Sequence, residues 1–331
     1  MNLDEITYVL PIRRVRREAD DADLAEYLAS ISRLVRVVIA DGSPPELFAR
    51  HARRWAAGIV HVPIDPDCIG LNGKVNGVRT AMRRVQTERV VIADDDVRYD
   101  PFTLRAVAAL LDRADVVRPQ NVFTASPWHV RLDTARSLLN RVTGGDWPGT
   151  LAVRRSRYER AGGYDADVLF ENLELVRTLC AAGGSERIAY DAYVARRPPT
   201  ARHFWSQRVR QAYDEFARPL RFAMQLALLP AIVLATARLG ARAPVTVAAL
   251  AVAAAECGRR RAGGARVYCA DAALYAPLWL AERAITAWCA LALRYVRGGV
   301  RYSRGRIRRA AHAPSELAQR SAAAFVQGTA G

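Results

Sequence analysis

Three adjacent carboxylates, Asp94, Asp95 and Asp96, follow directly on the apolar run 90–93, Val-Val-Ile-Ala. Three acids in a row repel one another unless something positive sits among them. A divalent metal carrying a ligand's phosphates fits, since Mg²⁺ typically takes one or two carboxylates plus phosphate oxygens. The same residues would also suit a solvated acidic turn ahead of a helix opening at Pro101. Other residues have chemical capacity. Asp41 ends the run 35–40 and heads an Asp-Gly-Ser turn. Lys74 and Asn76 lie early in a helical stretch, where an ammonium and a helix N-terminus both favour anions. Glu171, Asn172 and Glu174 open another stretch. Gln207 and Arg210, three apart on a helix, share a face.

The elements that must position these residues follow from periodicity. Strands are expected at 6–12, 35–40, 59–64 and 89–93, and helices at 20–33, 44–55, 72–85 and 101–113. A strand begins at 116–117. The run 90–93 carries β-branched residues without polar alternation, which is the pattern of a strand buried on both faces. Strands and helices that alternate at this spacing predict a parallel sheet wound by helices. Such sheets bind ligands outside the carboxyl ends of their strands, where Asp41 and Asp94–Asp96 stand. Neither GxGxxG nor GxxxxGK occurs, so a bound nucleotide would depend on metal and carboxylates. After residue 120 the regularity weakens. Helices are expected at 128–142, 170–182 and 202–218, with strands at 151–153 and 188–194.

The chain has 331 residues, a net charge of +16 and 51% hydrophobic residues. That length suits one large domain with an appendage, or two domains. The charge calls for an anionic partner. Five dispersed cysteines, without CxxC or Cys/His spacing, argue for a reducing compartment and no disulfide framework. The opening segment is too short and too acidic for a signal peptide, which places a catalytic part there in the cytoplasm.

Composition changes near Pro219. The stretches 222–237 and 243–255 are nearly free of charge, while 268–296 is apolar but carries Asp271, Glu282 and Arg283. Arginines at 259–261 and 294–309 flank them as positive-inside anchors do. The expectation is a membrane hairpin over about 220–257 and an interfacial helix over about 267–297. A basic tail, 297–309, would rest on anionic lipid. A buried helical subdomain would account for the same composition. Residues 312–331 are expected to be disordered. Because much of the Arg excess flanks apolar helices, no nucleic-acid partner is expected.

Four stretches taken together resemble family 2-type glycosyltransferases with the GT-A fold. They are IADGS (39–43), IGLNGKVNGVRTAMRRVQTERVVIADDDVRYDP (69–101), the 148–179 block with FENLELVRTL, and HFWSQRVRQAYD (203–214). The second stretch looks closest to the ceramide glucosyltransferase-like branch. The resemblance covers about 4–215. It implies a GT-A-like, Rossmann-like, mostly parallel α/β sheet flanked by helices over 1–218, with membrane-associated helices over 219–311. It also implies an inverting, Mg²⁺- or Mn²⁺-dependent hexosyltransferase on the cytoplasmic face of the cell membrane. A UDP- or GDP-sugar is the expected donor, and the membrane-seeking C-terminus suggests a lipid, polyprenyl-phosphate or envelope-glycan acceptor.

The resemblance also implies roles. Asp41 would accept from the base or ribose. Lys74 and Asn76 would meet the diphosphate. Asp94 would face the ribose and share the metal with Asp96, and Asp95 would replace either if the register slips by one. Gln207 and Arg210 match the Q-x-x-R of the family's QxxRW motif, but Gln211 stands where its Trp would be; Trp205 could supply that surface. The family's general base is the second acid of a pair at 171–172, and here that position is Asn172, which has no basic oxygen. Glu171 takes the role, or Glu174 does, or the acceptor is an already ionised phosphate. A catalytically inactive membrane scaffold, or a nucleotidyltransferase on a similar fold, fits the same departures.

Overall fold

The computed structural model describes residues 2–16, 21–302 and 305–329. Its centre is an eight-stranded sheet in the order β3-β2-β1-β4-β7-β6-β8-β5. The first half is parallel and wound by helices: β1 (Ile6–Ile12), α1 (Asp21–Ile31), β2 (Arg36–Asp41), α2 (Pro45–Arg54), β3 (Val60–Pro63), α3 (Gly73–Met82) and β4 (Arg89–Ala93). A two-residue strand, β5 (Val97–Arg98), and α4 (Pro101–Ala109) follow. Then come β6 (Val116–Phe123), α5 (Trp128–Thr143), β7 (Thr150–Arg154), α6 (Arg155–Arg160), α7 (Glu171–Ala181) and β8 (Glu186–Arg196). β7 runs antiparallel to both β4 and β6, so the sheet is parallel-dominated and mixed.

The strand runs are apolar throughout because both faces are covered. Tyr8, Leu10, Ile39, Val91 and Ala93 point into one core with Leu24, Leu28 and Leu104 of α1 and α4. Val9, Val38, Val90 and Ile92 point into the other with Val75, Val78 and Leu179 of α3 and α7. The chain reverses order between β1 and β4, and the carboxyl ends of β2 and β4 open there onto one cleft.

The helix expected over 202–218 is broken into α8 (Ala201–Ser206), α9 (Arg208–Tyr213) and a 3-10 turn at Asp214–Ala217. The break falls where the Gln207 N–H is shared between the carbonyls of His203 and Phe204, both at 3.2 Å.

The C-terminal part departs from the expected membrane hairpin. α10 (Pro219–Leu239) is, among the described residues, the one helix long and apolar enough to cross a membrane. α11 (Arg242–Arg260) instead lies on α5, with Ala251 and Ala255 packed against Ala135 and Leu138. A Cβ at Gly258 would collide with the Leu138 carbonyl, so the two backbones touch. The run 243–255 is apolar by virtue of alanines, whose small side chains suit close helix packing better than lipid. Arg141, fully buried on α5, locks this contact by donating to the carbonyls of Gly258 (3.0 Å), Arg261 (2.6 Å) and Tyr190 (3.1 Å). α12 (Ala276–Arg297) packs on α9 and α10.

The basic tail expected on lipid is folded against the sheet domain. It forms a hairpin, β9 (Val300–Tyr302) with β10 (Gly305–Ile307), and joins the sheet domain. The Leu169 and Phe170 amides bond to the carbonyls of Arg309 and Ala310. Tyr213 Oη donates to the Arg308 carbonyl at 2.7 Å. The tail expected to be disordered from 312 contains α13 (Pro314–Thr329), which packs on α7 through Leu317; residues 330–331 lie outside the described residues. Its anchor is a buried hydrogen bond, His312 Nδ1 to Glu174 Oε1 at 2.7 Å, which the charge pattern alone does not reveal.

Candidate active site

Asp94 and Asp96 follow β4 and line the cleft together, with Asp95 between them. Gly149, which precedes β7, makes room: its carbonyl accepts the Asp94 N–H at 2.7 Å, and a Cβ there would meet Asp94 Oδ2 at 2.7 Å. Each acid has a different cation. Lys74 Nζ, from the first turn of α3, lies 2.6 Å from Asp94 Oδ1. Arg14 lies 2.8 Å from Asp95, and Arg196, at the end of β8, lies 2.7 Å from Asp96. Burial, reinforced by the neighbouring Asp96, pushes the Asp94 carboxyl above its ordinary value in spite of Lys74. Asp96 Oδ1 is buried and has no hydrogen-bond partner. A strained carboxyl beside an orphaned carboxylate oxygen fits a divalent cation.

The Asn72 side chain caps α3 by accepting from Lys74 N at 3.1 Å, which fixes where the lysine leaves the helix. Lys74 Nζ also donates to Glu171 Oε1 at 2.9 Å and Asn172 Oδ1 at 3.4 Å. Burial opposes its charge, but the carboxylates of Asp94 and Glu171 prevail and hold the ammonium above its ordinary value. Burial likewise opposes charge on Glu171, and Lys74 with Arg210 overcomes it, so Glu171 is held below the usual carboxylate range and stays ionised. Arg210 Nη1 donates to Gln207 Oε1 at 3.2 Å, and its guanidinium lies 5.3 Å from the Tyr302 ring.

Two cavities meet here. The larger, about 1010 Å³, is lined by Asp41, Lys74, Asn76, Asp94–Asp96 and Arg210, with Arg301 and Tyr302 of the tail hairpin. The smaller, about 260 Å³, shares Asp94, Asp96 and Arg210 and adds Glu171, Asn172 and Gln207. All nine candidate residues thus border one connected space.

Several of these residues have partners that the sequence does not show. Asp41 is sealed rather than open: it accepts from His51 at 2.7 Å, His61 at 3.1 Å and Ser43 N at 2.9 Å, and its side chain is 0% exposed. Burial works against its charge, and these donors hold it down to about 2. Asp41 thus stands in the wall of the larger cavity with Ser43 beside it and the two imidazoles behind it. Asn76 is 1% exposed and ties its amide to the Gly70 carbonyl at 2.7 Å. Glu174 is spent on His312. Asn172 Nδ2 donates to the Pro148 carbonyl at 2.8 Å, so it holds the loop before β7. Gln211 accepts from Arg208, and Trp205 is half exposed beside Trp128, 6.1 Å between rings.

The sequence reading missed Arg196, Tyr302 and Asp214. Asp214 lines the smaller cavity with Oδ1 buried and unpartnered. Burial, aided by Glu171 and Glu215 and resisted by Arg210, pushes its carboxyl up to about 7. Only its place after the Gln207–Arg210 pair could have drawn notice.

No family model matches the chain, and no curated protein matches it. Among solved structures it is similar to the mannosyltransferase PcManGT from Pyrobaculum calidifontis, in complex with GDP-Man and Mn²⁺. That match has 19% identity and a TM-score of 0.47, and covers 86% of this chain and 87% of that one. Glucosyl-3-phosphoglycerate synthase from Mycobacterium tuberculosis, with Mn²⁺, UDP and phosphoglyceric acid, is 18% identical with a TM-score of 0.41, covering 60% and 73%. TarS of S. aureus is 15% identical with a TM-score of 0.40, covering 64% and 39%.

Proposed function

We propose that the protein is a metal-dependent, inverting glycosyltransferase of GT-A type. It moves a hexose from a UDP- or GDP-sugar to a lipid or envelope-glycan acceptor at the cytoplasmic membrane face. The observation that carries this reading is the convergence of Asp94, Asp96, Lys74 and Arg210 on one cleft. Two carboxylates beside two cations match the charge pattern of a metal-bound diphosphate. Asp94 and Asp96 would hold Mg²⁺ or Mn²⁺, which when bound neutralises charge on the departing nucleoside diphosphate. Lys74 and Arg210 face the same phosphates from the protein side. Arg301 and Tyr302 line the same cleft from the tail hairpin.

Glu171 takes the proton of the acceptor hydroxyl as its oxygen bonds to the anomeric carbon and the bond to the phosphate oxygen breaks. The contact with Lys74 must loosen when donor phosphates compete for the ammonium, which frees the carboxylate. Membrane attachment rests on the exposed apolar side chains of α10, among them Leu229, Val233 and Leu234. The helices return to the sheet domain, so the reading is a protein lying on the bilayer and dipping in the α10–α11 tip.

The test is sugar transfer or donor hydrolysis by purified full-length protein with Mn²⁺ and a panel of UDP- and GDP-sugars. Turnover abolished by Asp96→Ala is the expected result. A protein that binds no sugar nucleotide, or whose turnover is indifferent to Asp96→Ala, is not this enzyme.

A further inference from the structure

The smaller cavity runs from Asp94 and Asp96 to the helices that follow α9, and its far end is built from buried guanidinium groups. Arg283 of α12 is 1% exposed and Arg208 of α9 is 2% exposed. Among the described residues, Arg283 Nε and Nη1, Arg208 Nη1, Arg218 Nε and Trp279 Nε1 are buried donors with no hydrogen-bond partner. Arg136 and Arg221 line the same end. Buried polar groups are normally satisfied, and an orphaned charged donor costs most.

The carboxylates nearby do not settle this account. Asp133 is taken by Arg136 at 2.8 Å and reaches Arg208 only at 3.5 Å. Glu215 is shared by Arg218 at 2.8 Å and Arg221 at 3.3 Å. Glu282 stands 4.0 Å from Arg283, too far for a hydrogen bond, and its own oxygens are unpartnered. Asp146 is held by Arg136 at 2.7 Å. Burial depresses the guanidiniums of Arg208, Arg218 and Arg283, although Asp133, Glu215 and Glu282 resist it. A guanidinium does not release its proton in a protein, so that strain remains as an unmet demand for negative charge. Glu215 Oε2 and Asp214 Oδ1 are unpartnered acceptors in the same lining, but the five guanidinium groups of Arg136, Arg208, Arg218, Arg221 and Arg283 outnumber the four carboxylates of Asp133, Asp146, Glu215 and Glu282, and that excess selects an anion.

We infer that Arg208, Arg218 and Arg283, with the Trp279 indole, form an anion site that takes the phosphate monoester of the acceptor. The site rests on the glycosyltransferase reading for its link to an acceptor, but not for its chemistry. A cavity of about 260 Å³ admits a phosphate head with its first carbons and not a second nucleotide. Its position opposite the donor cleft, across Asp94 and Asp96, makes the phosphate an anchor that orients the attacking hydroxyl. Guanidinium forks match phosphate oxygens in pairs, which fits arginine rather than lysine here.

The experiment uses the full-length protein in detergent micelles without nucleotide or metal. Inorganic phosphate, glycerol 3-phosphate and lysophosphatidic acid, a lipid that carries both a phosphate monoester and a free hydroxyl, are titrated calorimetrically at constant ionic strength, with chloride as the control anion. Wild type should bind the phosphates and not chloride. Arg283→Gln should weaken that binding at least tenfold, and Arg283→Lys should recover little. Both variants are checked by their titration with GDP, UDP and Mn²⁺, which should be unchanged and reports a folded donor cleft. If Arg283→Gln does not fold, Arg208→Gln read the same way replaces it. Tighter binding of the lipid probe assigns a lipid headgroup, and equal binding assigns a soluble phosphomonoester. Phosphate binding absent from wild type, or indifferent to both substitutions, overturns the site. Phosphate binding without any nucleotide binding leaves the anion site standing and removes the glycosyltransferase reading instead.

Discussion

Lys74 Nζ lies 2.6 Å from Asp94 and 2.9 Å from Glu171, so a single ammonium joins the proposed metal carboxylate to the proposed base. These three residues come from the ends of β4, α3 and α7. Lys74→Met should leave two buried carboxylates facing each other. Glu171 then loses the cation that holds it below its ordinary range, and its pKa rises. The acid limb of the pH profile for kcat/KM should move to higher pH, and transfer should fall by about 100-fold, the usual scale for one charged group at a reacting centre. An unchanged pH profile would separate Lys74 from Glu171 function.

Glu171→Gln removes the proton acceptor while keeping the size of the side chain. It should reduce transfer by about 100-fold or more and leave nucleotide binding with Mn²⁺ within a few-fold of wild type. Asn172 is expected to be different. Its amide supports the Pro148 carbonyl, so Asn172→Asp should cost about 1–3 kcal/mol of stability through the lost donor. A gain in turnover from Asn172→Asp would mean that the base belongs at that position after all. Chemical denaturation and a transfer assay on the two variants decide this.

Much of the sheet was legible because the runs at 90–93 and 37–40 are buried on both faces and announce themselves without polar interruption. The cleft was legible for the related reason that acids at the carboxyl ends of parallel strands β2 and β4, one on either side of β1, come out on the same edge of the sheet. What stayed hidden depends on partners distant in sequence. Asp41 reads as an open turn acid until His51 and His61 arrive from α2 and β3 to seal it. Asp96 meets Arg196 across 100 positions. The tail's arginines suggested lipid because charge patterning says nothing about a hairpin that folds back on the cleft. The alanines of α11 read as membrane because hydropathy does not register that they are small.

Asp214 offers a pH test. Its carboxyl is pushed up to about 7 from an ordinary 3.8, in a setting that includes Arg210, Glu171, Glu215 and Arg218. The folded protein therefore holds a proton that the unfolded chain releases between about pH 4 and 7. Stability falls as pH rises through that window, and above it the burial penalty is fully felt, of the order of 4 kcal/mol at most. Asp214→Asn should stabilise the protein at pH 8 and change little at pH 4. Denaturant midpoints of both proteins at the two pH values measure the difference; an equal effect at both would place the pKa elsewhere.

Arg141→Met tests how α11 is held. The substitution strands the carbonyls of Gly258, Arg261 and Tyr190 and the Gln120 Oε1 that accepts at 3.1 Å, all around a fully buried site. A loss of about 3–5 kcal/mol is expected, as for other broken buried charge networks. Limited proteolysis should then cut near residues 258–266, where the contact opens. A variant of wild-type stability would show that α11 is held by its alanine face alone.

Membrane attachment through α10 makes a final prediction. Leu229, Val233 and Leu234 are 41%, 59% and 59% exposed, an apolar patch that water disfavours. Burying the exposed half of each in the acyl boundary is worth about 1 kcal/mol. Val233→Asp with Leu234→Asp removes two such terms and adds two charges that the bilayer excludes, so vesicle affinity should drop by at least about 100-fold. The core beneath is untouched, because these side chains already face outward, and the far-ultraviolet circular dichroism should not change. Flotation with vesicles containing phosphatidylglycerol reads the outcome. Wild type should rise with the lipid and the double variant should stay at the bottom. Wild-type protein that stays down, or a variant that still floats, would take the membrane away from α10 and leave its apolar face to a protein partner.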